Sequence, residues 1–182
     1  MNLDQKTGLM AEAEYMPSPN CDARPPDLSI DVIVVHCISL PPGVFGGTAI
    51  QEFFCNQLDF ECHPYYQEIA ELRVSSHFLI KRDGVLLQFV PVHLRAWHAG
   101  LSQFQGRSCV NDFSIGIELE GTDDAGFEER QYEVLSELTR ILMQAFPAIT
   151  LNHLVGHCDI APGRKADPGP GFDWVRYTKA CS

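Results

Sequence analysis

Residues 29–36 have the sequence Ser-Ile-Asp-Val-Ile-Val-Val-His, a short β-branched run with nearly continuous apolar character. Such a run predicts a β-strand that is buried on both faces. The strand is expected to end at His36, directly before a loop rich in turn residues at positions 39–47. Functional side chains in α/β folds collect at the ends of such strands. His36 is therefore a candidate site residue, and it shares one side of the strand with Ile30, Val32 and Val34.

Further elements are predicted on the C-terminal side of this strand. Residues 114–120 (Ser-Ile-Gly-Ile-Glu-Leu-Glu) alternate cleanly and predict a half-buried strand. Residues 127–146 repeat apolar side chains every three to four positions, which predicts the longest helix, and Pro147 ends it. The pair Asp83-Gly84 predicts a hairpin turn. The other predicted elements are helices at 48–58 and 64–70, hairpin strands at 72–80 and 85–90, a loop at 95–106, a strand at 151–157 and a closing turn or short helix at 172–177.

The length of 182 residues, with 45% hydrophobic and 20% charged residues, suits one domain with a sizeable core. Residues 1–28 contain Pro17, Pro19, Pro25 and Pro26, and they predict an irregular arm that leads into this domain. Strands and helices mix along the chain and include a hairpin. We therefore expect an α/β (α+β) fold with a single mixed β-sheet flanked by helices.

The formal net charge of −11 argues against a nucleic-acid partner, which normally requires a basic face. The net charge does not exclude a small anionic substrate, because local lysine and arginine can outweigh a distant negative surface. The seven cysteines are odd in number and form no C-x-x-C pair, so free thiols are expected. No apolar run approaches the ~20 residues of a membrane span, and the N-terminus does not resemble a signal peptide. A cytoplasmic monomer without a membrane partner is expected.

Residues 156–174 (Gly-His-Cys-Asp-Ile-Ala-Pro-Gly-Arg-Lys-Ala-Asp-Pro-Gly-Pro-Gly-Phe-Asp-Trp) form a loop shaped by proline and glycine. In an extended segment, residues two apart face the same way, so Lys165 and Asp167 can point into one site. His157 stands at the end of a predicted strand, as His36 does. Two imidazoles and one carboxylate are a known catalytic zinc set that leaves a position open for water. The sequence therefore suggests that His36, His157 and Asp167 bind one Zn²⁺.

Each histidine taken alone is also compatible with a hydrogen-bonded core or surface role. Five others compete for the metal, namely His63, His77, His93, His98 and His153. Of these, His77 lies inside a predicted strand and is expected in the core or behind a ligand. His98, beside Trp97, is expected to form a pocket wall.

Glu118 is a candidate general base, because Gly116 on the same side of the strand leaves space for a ligand. The alternative for Glu118 is an ordinary exposed strand carboxylate, and this is the expectation for its neighbour Glu120. Lys165 is either a solvated loop lysine or a donor to an oxyanion.

Four segments together resemble the AmpD-like members of the zinc amidase-2 family, which is related to the peptidoglycan recognition proteins. They are the region around His36, residues 95–100 (Arg-Ala-Trp-His-Ala-Gly), residues 111–121 and residues 156–170, and their order and spacing agree from about position 17 to 174. The resemblance implies one zinc ion in a groove on the sheet. It also implies hydrolysis of the amide bond between 1,6-anhydro-N-acetylmuramic acid and L-alanine of muropeptides during cell-wall recycling. Loss of such an enzyme would derepress an inducible β-lactamase.

Residue by residue, the resemblance assigns His36, His157 and Asp167 as zinc ligands, Glu118 as the catalytic acid/base and Lys165 as the transition-state stabiliser. Two departures concern substrate binding. Cys37 stands where these proteins commonly have asparagine, and residues 106–111 lack an expected second arginine. The candidates for substrate binding are Arg73 and Arg107, which can pair with carboxylates, together with Trp97 and His98.

A non-catalytic peptidoglycan-fragment binding protein of the same fold is the main alternative. Such a sensor need not keep the three metal ligands together with Glu118 and Lys165. All five residues are present, so the sequence favours an enzyme. An enzyme that acts on the intact wall outside the cytoplasm is disfavoured, because no signal peptide is seen.

Overall fold

Twelve β-strands and five α-helices make up the computed structural model, which describes residues 1–182. The strands are β1 (Leu3–Asp4), β2 (Leu9–Met10), β3 (Glu14–Tyr15), β4 (Cys21–Ala23), β5 (Val32–Ile38), β6 (Phe78–Ile80), β7 (Leu86–Gln88), β8 (Leu94–Ala96), β9 (Gln103–Phe104), β10 (Arg107–Ser108), β11 (Ser114–Glu120) and β12 (Leu154–Gly156). The helices are α1 (Ala49–Phe54), α2 (Pro64–Glu68), α3 (Glu129–Ala145), α4 (His157–Ile160) and α5 (Trp174–Cys181). Single 3-10 turns cover Phe60–Cys62, Val110–Asp112 and Leu151–His153.

Six of the strands form one sheet in the order β12-β5-β11-β6-β7-β3. The first four run parallel, β6 and β7 form an antiparallel hairpin, and β3 pairs in parallel with β7. The hairpin turn uses Gly84 at φ +86°, a left-handed conformation that glycine adopts at no steric cost. The predicted single mixed sheet with flanking helices is confirmed.

Helices α3 and α5 cover one face of the sheet. Their buried side chains, among them Leu135, Leu138 and Tyr177, pack with the β5 and β11 residues Ile33 and Ile117 in the largest apolar cluster. Every third or fourth residue of α3 is apolar, so one stripe of the helix is buried and the opposite side is exposed. This packing holds β5 and β11 rigidly from behind.

The other face of the sheet is covered in two parts. Helices α1 and α2 pack over the β6–β7 half, where Phe54 and Phe89 meet edge to face with ring centroids 5.1 Å apart. Val32 and Val34 of β5 pack with Phe113 in a separate cluster. A cleft remains between these two parts, at the carboxyl ends of β5 and β11. Ligands bind in this region of open α/β sheets.

Several predicted element boundaries were wrong. Strand β5 does not end at His36 but continues to Ile38, because Cys37 and Ile38 still pair with β11. The predicted strand at 151–157 is a 3-10 turn followed by β12, and His157 opens α4. The predicted loop at 95–106 includes part of β8 and all of β9, which pairs with β10.

The predicted irregular arm at residues 1–28 was also wrong. Its four short strands each have a partner, and two of those partners lie far along the chain: β3 extends the main sheet at β7, and β4 pairs with β8. Arg24 anchors the arm through hydrogen bonds to four backbone carbonyls, those of Val92, Asn111, Asp112 and Ser114.

No helix has the length and apolar character that would allow it to cross a bilayer. The cytoplasmic location stays a prediction.

Candidate metal centre

The three predicted metal ligands converge at the cleft from separate elements. His36 lies near the end of β5, His157 begins α4, and Asp167 lies in the loop after α4. The Nδ1 atoms of the two histidines are 3.0 Å apart, and each lies 3.1 Å from Oδ2 of Asp167. The three atoms therefore form a nearly equilateral triangle.

The chemistry of this triangle fits zinc. Zinc–nitrogen and zinc–oxygen bonds of 2.0–2.2 Å in a tetrahedron place ligand atoms about 3.3 Å apart, close to the observed edges. His157 Nε2 lies 3.2 Å from the carbonyl oxygen of Ala99, which can only accept a hydrogen bond. The His157 proton is therefore on Nε2, and Nδ1 presents a lone pair. A lone pair beside a second imidazole nitrogen and a carboxylate is a set of donor atoms suited to a metal cation.

Burial and charge set the protonation of the triangle. Burial raises the pKa of Asp167, but the contacts with His157 and His36 outweigh it and hold the pKa below its usual range. Burial lowers the pKa of His36 to about 4, although Asp167 opposes this shift. An ionised carboxylate and a neutral imidazole are the forms that bind a metal ion.

Glu118 lies directly opposite His36 in the β5–β11 pairing. Its Oε2 is buried and has no hydrogen-bond partner. Burial raises the pKa of Glu118 well above its ordinary value. The charge of Asp167 adds to this shift and that of Lys165 opposes it. A buried carboxyl group whose pKa is raised in this way holds a proton more readily than an exposed one, as a general acid/base must.

A cleft of about 450 Å³ surrounds these groups. Lys165 is exposed and lines the cleft beside Asp167 and Glu118. The α1–α2 side contributes apolar and aromatic side chains, and the loop after β11 contributes polar ones. Examples from the two sides are Phe53, Phe54, Tyr65 and Ile69, and Thr122 and Asp123.

Three of the four predicted substrate-binding residues do not line this cleft. The guanidinium group of Arg73 donates to the carbonyl oxygens of Ala70 and Leu72, at 2.7 and 2.9 Å. Arg107 forms an ion pair with Asp31 at 2.9 Å and stacks over the Phe113 ring, so its positive charge is compensated within the fold. Trp97 is likewise absent from the lining of the cleft.

The fourth of these residues, His98, does line the cleft, but its two ring nitrogens face His36 and Ser114. The remaining histidines have other partners. His77 is fully buried, as expected, and contacts Gly116 and Leu94. His63, His93 and His153 contact the backbone of Tyr65, Gln5 and Asp31, respectively.

Two cysteines lie near the metal ligands. Cys37 lines the cleft, and burial together with the nearby Glu118 carboxylate raises the pKa of its thiol. The backbone N–H of Cys158 donates to the carbonyl oxygen of Asp167 at 2.9 Å, which fixes the ligand loop against α4. All seven cysteines are free, as predicted.

Sequence reasoning missed the residues that hold the centre together. Ser114 contacts His98, and Oδ1 of Asn111 accepts from the backbone N–H groups of His98 and Ala99 at 3.2 and 2.7 Å. Arg164 donates to the carbonyl oxygen of Ala99 at 2.6 Å. The only signal in the sequence was that Asn111 and Ser114 belong to a segment carrying the family resemblance.

Comparison with known proteins gives a consistent result. The family model described as N-acetylmuramoyl-L-alanine amidase matches residues 26–170. The chain is 54% identical over 170 residues to 1,6-anhydro-N-acetylmuramyl-L-alanine amidase AmpD of Escherichia coli (strain K12), covering 93% of this chain and 92% of the relative. A crystal structure of a selenomethionine AmpD derivative matches with a TM-score of 0.96 and 52% identity over 100% of both chains. AmpDh3 from Pseudomonas aeruginosa, in complex with anhydromuramic pentapeptide, matches with a TM-score of 0.61 and 30% identity, covering 83% of this chain and 59% of that one.

Proposed function

The chain belongs to the N-acetylmuramoyl-L-alanine amidase family, and from that premise we propose that it is a zinc-dependent hydrolase of anhydro-muropeptides. The bond cleaved is the amide between 1,6-anhydro-N-acetylmuramic acid and L-alanine. The observation that carries the proposal is the ligand triangle of His36, His157 and Asp167 beside the unpartnered carboxylate oxygen of Glu118. Similarity to a relative named for this activity supports the choice of substrate.

The three ligands would hold one zinc ion. When bound there, zinc polarises the amide carbonyl and lowers the pKa of a water molecule toward about 7. Asp167 contributes the negative charge, and the two neutral imidazoles contribute nitrogen lone pairs.

Glu118 performs the proton transfers. Its carboxylate accepts a proton from the attacking water and then donates that proton to the departing L-alanine nitrogen. The buried position suits this exchange, because desolvation raises the pKa of the carboxyl group and so favours its protonated form. The unpartnered Oε2 leaves an acceptor free for the water.

Lys165 stabilises the charge that develops on the amide oxygen. Its ammonium group lines the same cleft as the triangle and is not buried against a carboxylate of the fold. A donor of this kind contributes roughly 3–4 kcal/mol to the transition state in comparable sites.

The proposed place of the reaction is peptidoglycan recycling, with indirect control of an inducible β-lactamase through the level of anhydro-muropeptides. The monomeric state stays a prediction.

A purely binding function would have no use for a buried carboxyl group with a raised pKa beside a metal triangle. Burying such a group without a partner costs stability, so its presence favours catalysis.

The test combines metal analysis with hydrolysis of an anhydro-muropeptide before and after chelation. We expect one zinc per chain, loss of hydrolysis on chelation, and recovery on adding zinc back. Glu118→Gln should keep the zinc and lower kcat by roughly 10²–10⁴-fold. Glu133→Gln, an exposed carboxylate paired with Arg130 on α3, is the matched control. Near-full activity of the Glu118 variant would remove that residue from the mechanism.

A further inference from the structure

A chain of polar contacts runs away from the metal triangle behind His36. The Nε2 atom of His36 lies 2.9 Å from Nδ1 of His98, and Nε2 of His98 lies 3.1 Å from Oγ of Ser114. The Ser114 hydroxyl then donates to the carbonyl oxygen of Val110 at 2.6 Å. This series of contacts therefore ends at a carbonyl oxygen, which can only accept a hydrogen bond.

The contact between Ser114 and Val110 determines which ring nitrogens of His98 and His36 carry a proton. Because the Ser114 hydroxyl uses its hydrogen on Val110, its oxygen can only accept from His98. His98 therefore carries its proton on Nε2 and presents a lone pair at Nδ1. That lone pair accepts a hydrogen bond only if His36 donates its Nε2–H, which leaves Nδ1 of His36 without a proton and facing the other two ligands.

His98 is itself held on three sides. Ser114 anchors the ring, and Asn111 binds the backbone N–H groups of His98 and Ala99. Gly116 lies against the face of the ring, where a Cβ atom would come within 2.5 Å of it. Ser114 and Gly116 are on the same side of β11 as Glu118, since alternate residues of a strand face the same way.

Ala99, the residue after His98, contacts the outer ring nitrogen of the second candidate ligand, His157. The carbonyl oxygen of Ala99 accepts from Nε2 of His157 at 3.2 Å, and Arg164 holds that carbonyl at 2.6 Å. Two consecutive residues of one loop thus contact the outer nitrogens of both candidate ligands. Such outer partners fix the tautomer and the ring orientation of metal-binding histidines.

We propose that His98, held by Ser114 and Gly116, is a positioning residue that fixes the tautomer and ring plane of His36 for metal binding. This inference rests on the proposed zinc function and extends it to residues that are not metal ligands. Its consequence is that zinc affinity depends on a serine hydroxyl two hydrogen bonds away from the metal ligand.

The first test is the tautomer of His98 in the wild-type protein, measured by long-range ¹H–¹⁵N NMR of the histidine side chains. We expect the proton on Nε2 in both the metal-free and the zinc-loaded protein. A proton on Nδ1 of His98 would overturn the proposal, because that nitrogen could not accept from His36. This measurement stays decisive even if the protein binds no zinc, an outcome that would overturn the proposed function separately.

The second test is zinc affinity by competition with a chelator. His98→Leu removes the acceptor, and Ser114→Ala removes the anchor. We expect each to weaken zinc binding on the order of 10–100-fold. His98→Asn keeps an acceptor near the Nδ1 position and should recover part of the loss. Ser136→Ala, a buried serine on α3, is the matched control and should bind zinc like the wild type. Zinc affinity within twofold of wild type in folded His98→Leu would contradict the proposal.

Discussion

Replacing Gly116 with alanine tests the link between strand β11 and the metal triangle. The added Cβ would lie 2.5 Å from Cγ and 2.6 Å from Nδ1 of the His98 ring. Ordinary carbon contacts begin near 3.4 Å, so the ring must withdraw by about 1 Å. Because Gly116 lies against the ring face, this movement is out of the ring plane, so it turns the Nδ1 lone pair of His98 away from His36 and weakens their 2.9 Å contact.

Two effects of different size follow from this displacement. Overpacking of a closely packed site costs about 1–3 kcal/mol. For a chain of this length, each kcal/mol corresponds to about 2–4 °C in Tm, so a decrease of about 2–12 °C is expected. The misaligned contact should also hold the His36 ring less firmly and lower zinc affinity on the order of 10-fold.

Thermal unfolding of the metal-free protein and zinc titration against a chelator measure the two effects separately. Gly126→Ala is the matched control, because a Cβ there would meet no atom within 4 Å. If Gly116→Ala lowers Tm but binds zinc like the control, the His98–His36 contact has no role in metal binding. An unchanged Tm would show that the ring is not packed against the strand as described.

Three further predictions concern single side chains. Lys165→Ala should lower kcat roughly 10²–10³-fold without changing zinc affinity, and an equal loss of zinc would show that the lysine acts on the metal site instead. Arg107→Ala should leave KM within twofold of wild type and cost about 0–1 kcal/mol of stability, because its ion pair with Asp31 is partly exposed; a tenfold rise in KM would place Arg107 on the substrate. Burial, with a contribution from the charge of Arg24, lowers the pKa of His77 to about 3. The unfolded chain therefore binds more protons than the folded one between about pH 6.5 and 3, and stability should fall as the pH drops through this range, by up to ~1.4 kcal/mol per pH unit. Denaturant titrations at several pH values should show a shallower slope for His77→Gln, and an equal slope would refute a neutral buried imidazole.

Local sequence patterns were sufficient to predict those elements whose structure is determined by their own residues. Alternation predicted β11 with its observed bounds, but the expectation of a half-buried strand was wrong, because both of its faces are covered. The three- to four-residue repeat predicted α3 to within two residues at each end. Both elements have a strong period and clear stops. The Asp83-Gly84 turn was recognisable for the same reason, because the sequence signal and the structure are both local.

Local patterns were insufficient where the partner lies far away in the chain. Glu120 was expected to be exposed, but it is buried because the backbone N–H groups of Gly46 and Arg82 donate to its carboxylate. Both partners come from distant turns, so no period in β11 predicts the contact. The strands of the N-terminal arm are only two or three residues long, too short for any alternation to be recognised.

The metal triangle could be anticipated, whereas its support could not. The resemblance singled out His36, His157 and Asp167 together, and the structure brings them together. The positive charge of Arg107 predicted a contact with substrate, but its guanidinium group contacts Asp31 and stacks on the Phe113 ring. Residue type alone cannot distinguish a free arginine from one that is already paired.

The position of Glu118 relative to the metal ligand His36 depends on the pairing between β5 and β11. Seven consecutive pairs set this register, and it places Glu118 directly beside His36. Because the side-chain period of a strand is two, a slip of one residue would turn the carboxylate to the opposite face. The back of both strands is packed with Ile33, Val35 and Ile117 against α3 and α5, so a slip would also expose that apolar surface. The same packing energy that stabilises the sheet therefore holds the proposed acid/base at its distance from the metal ligands.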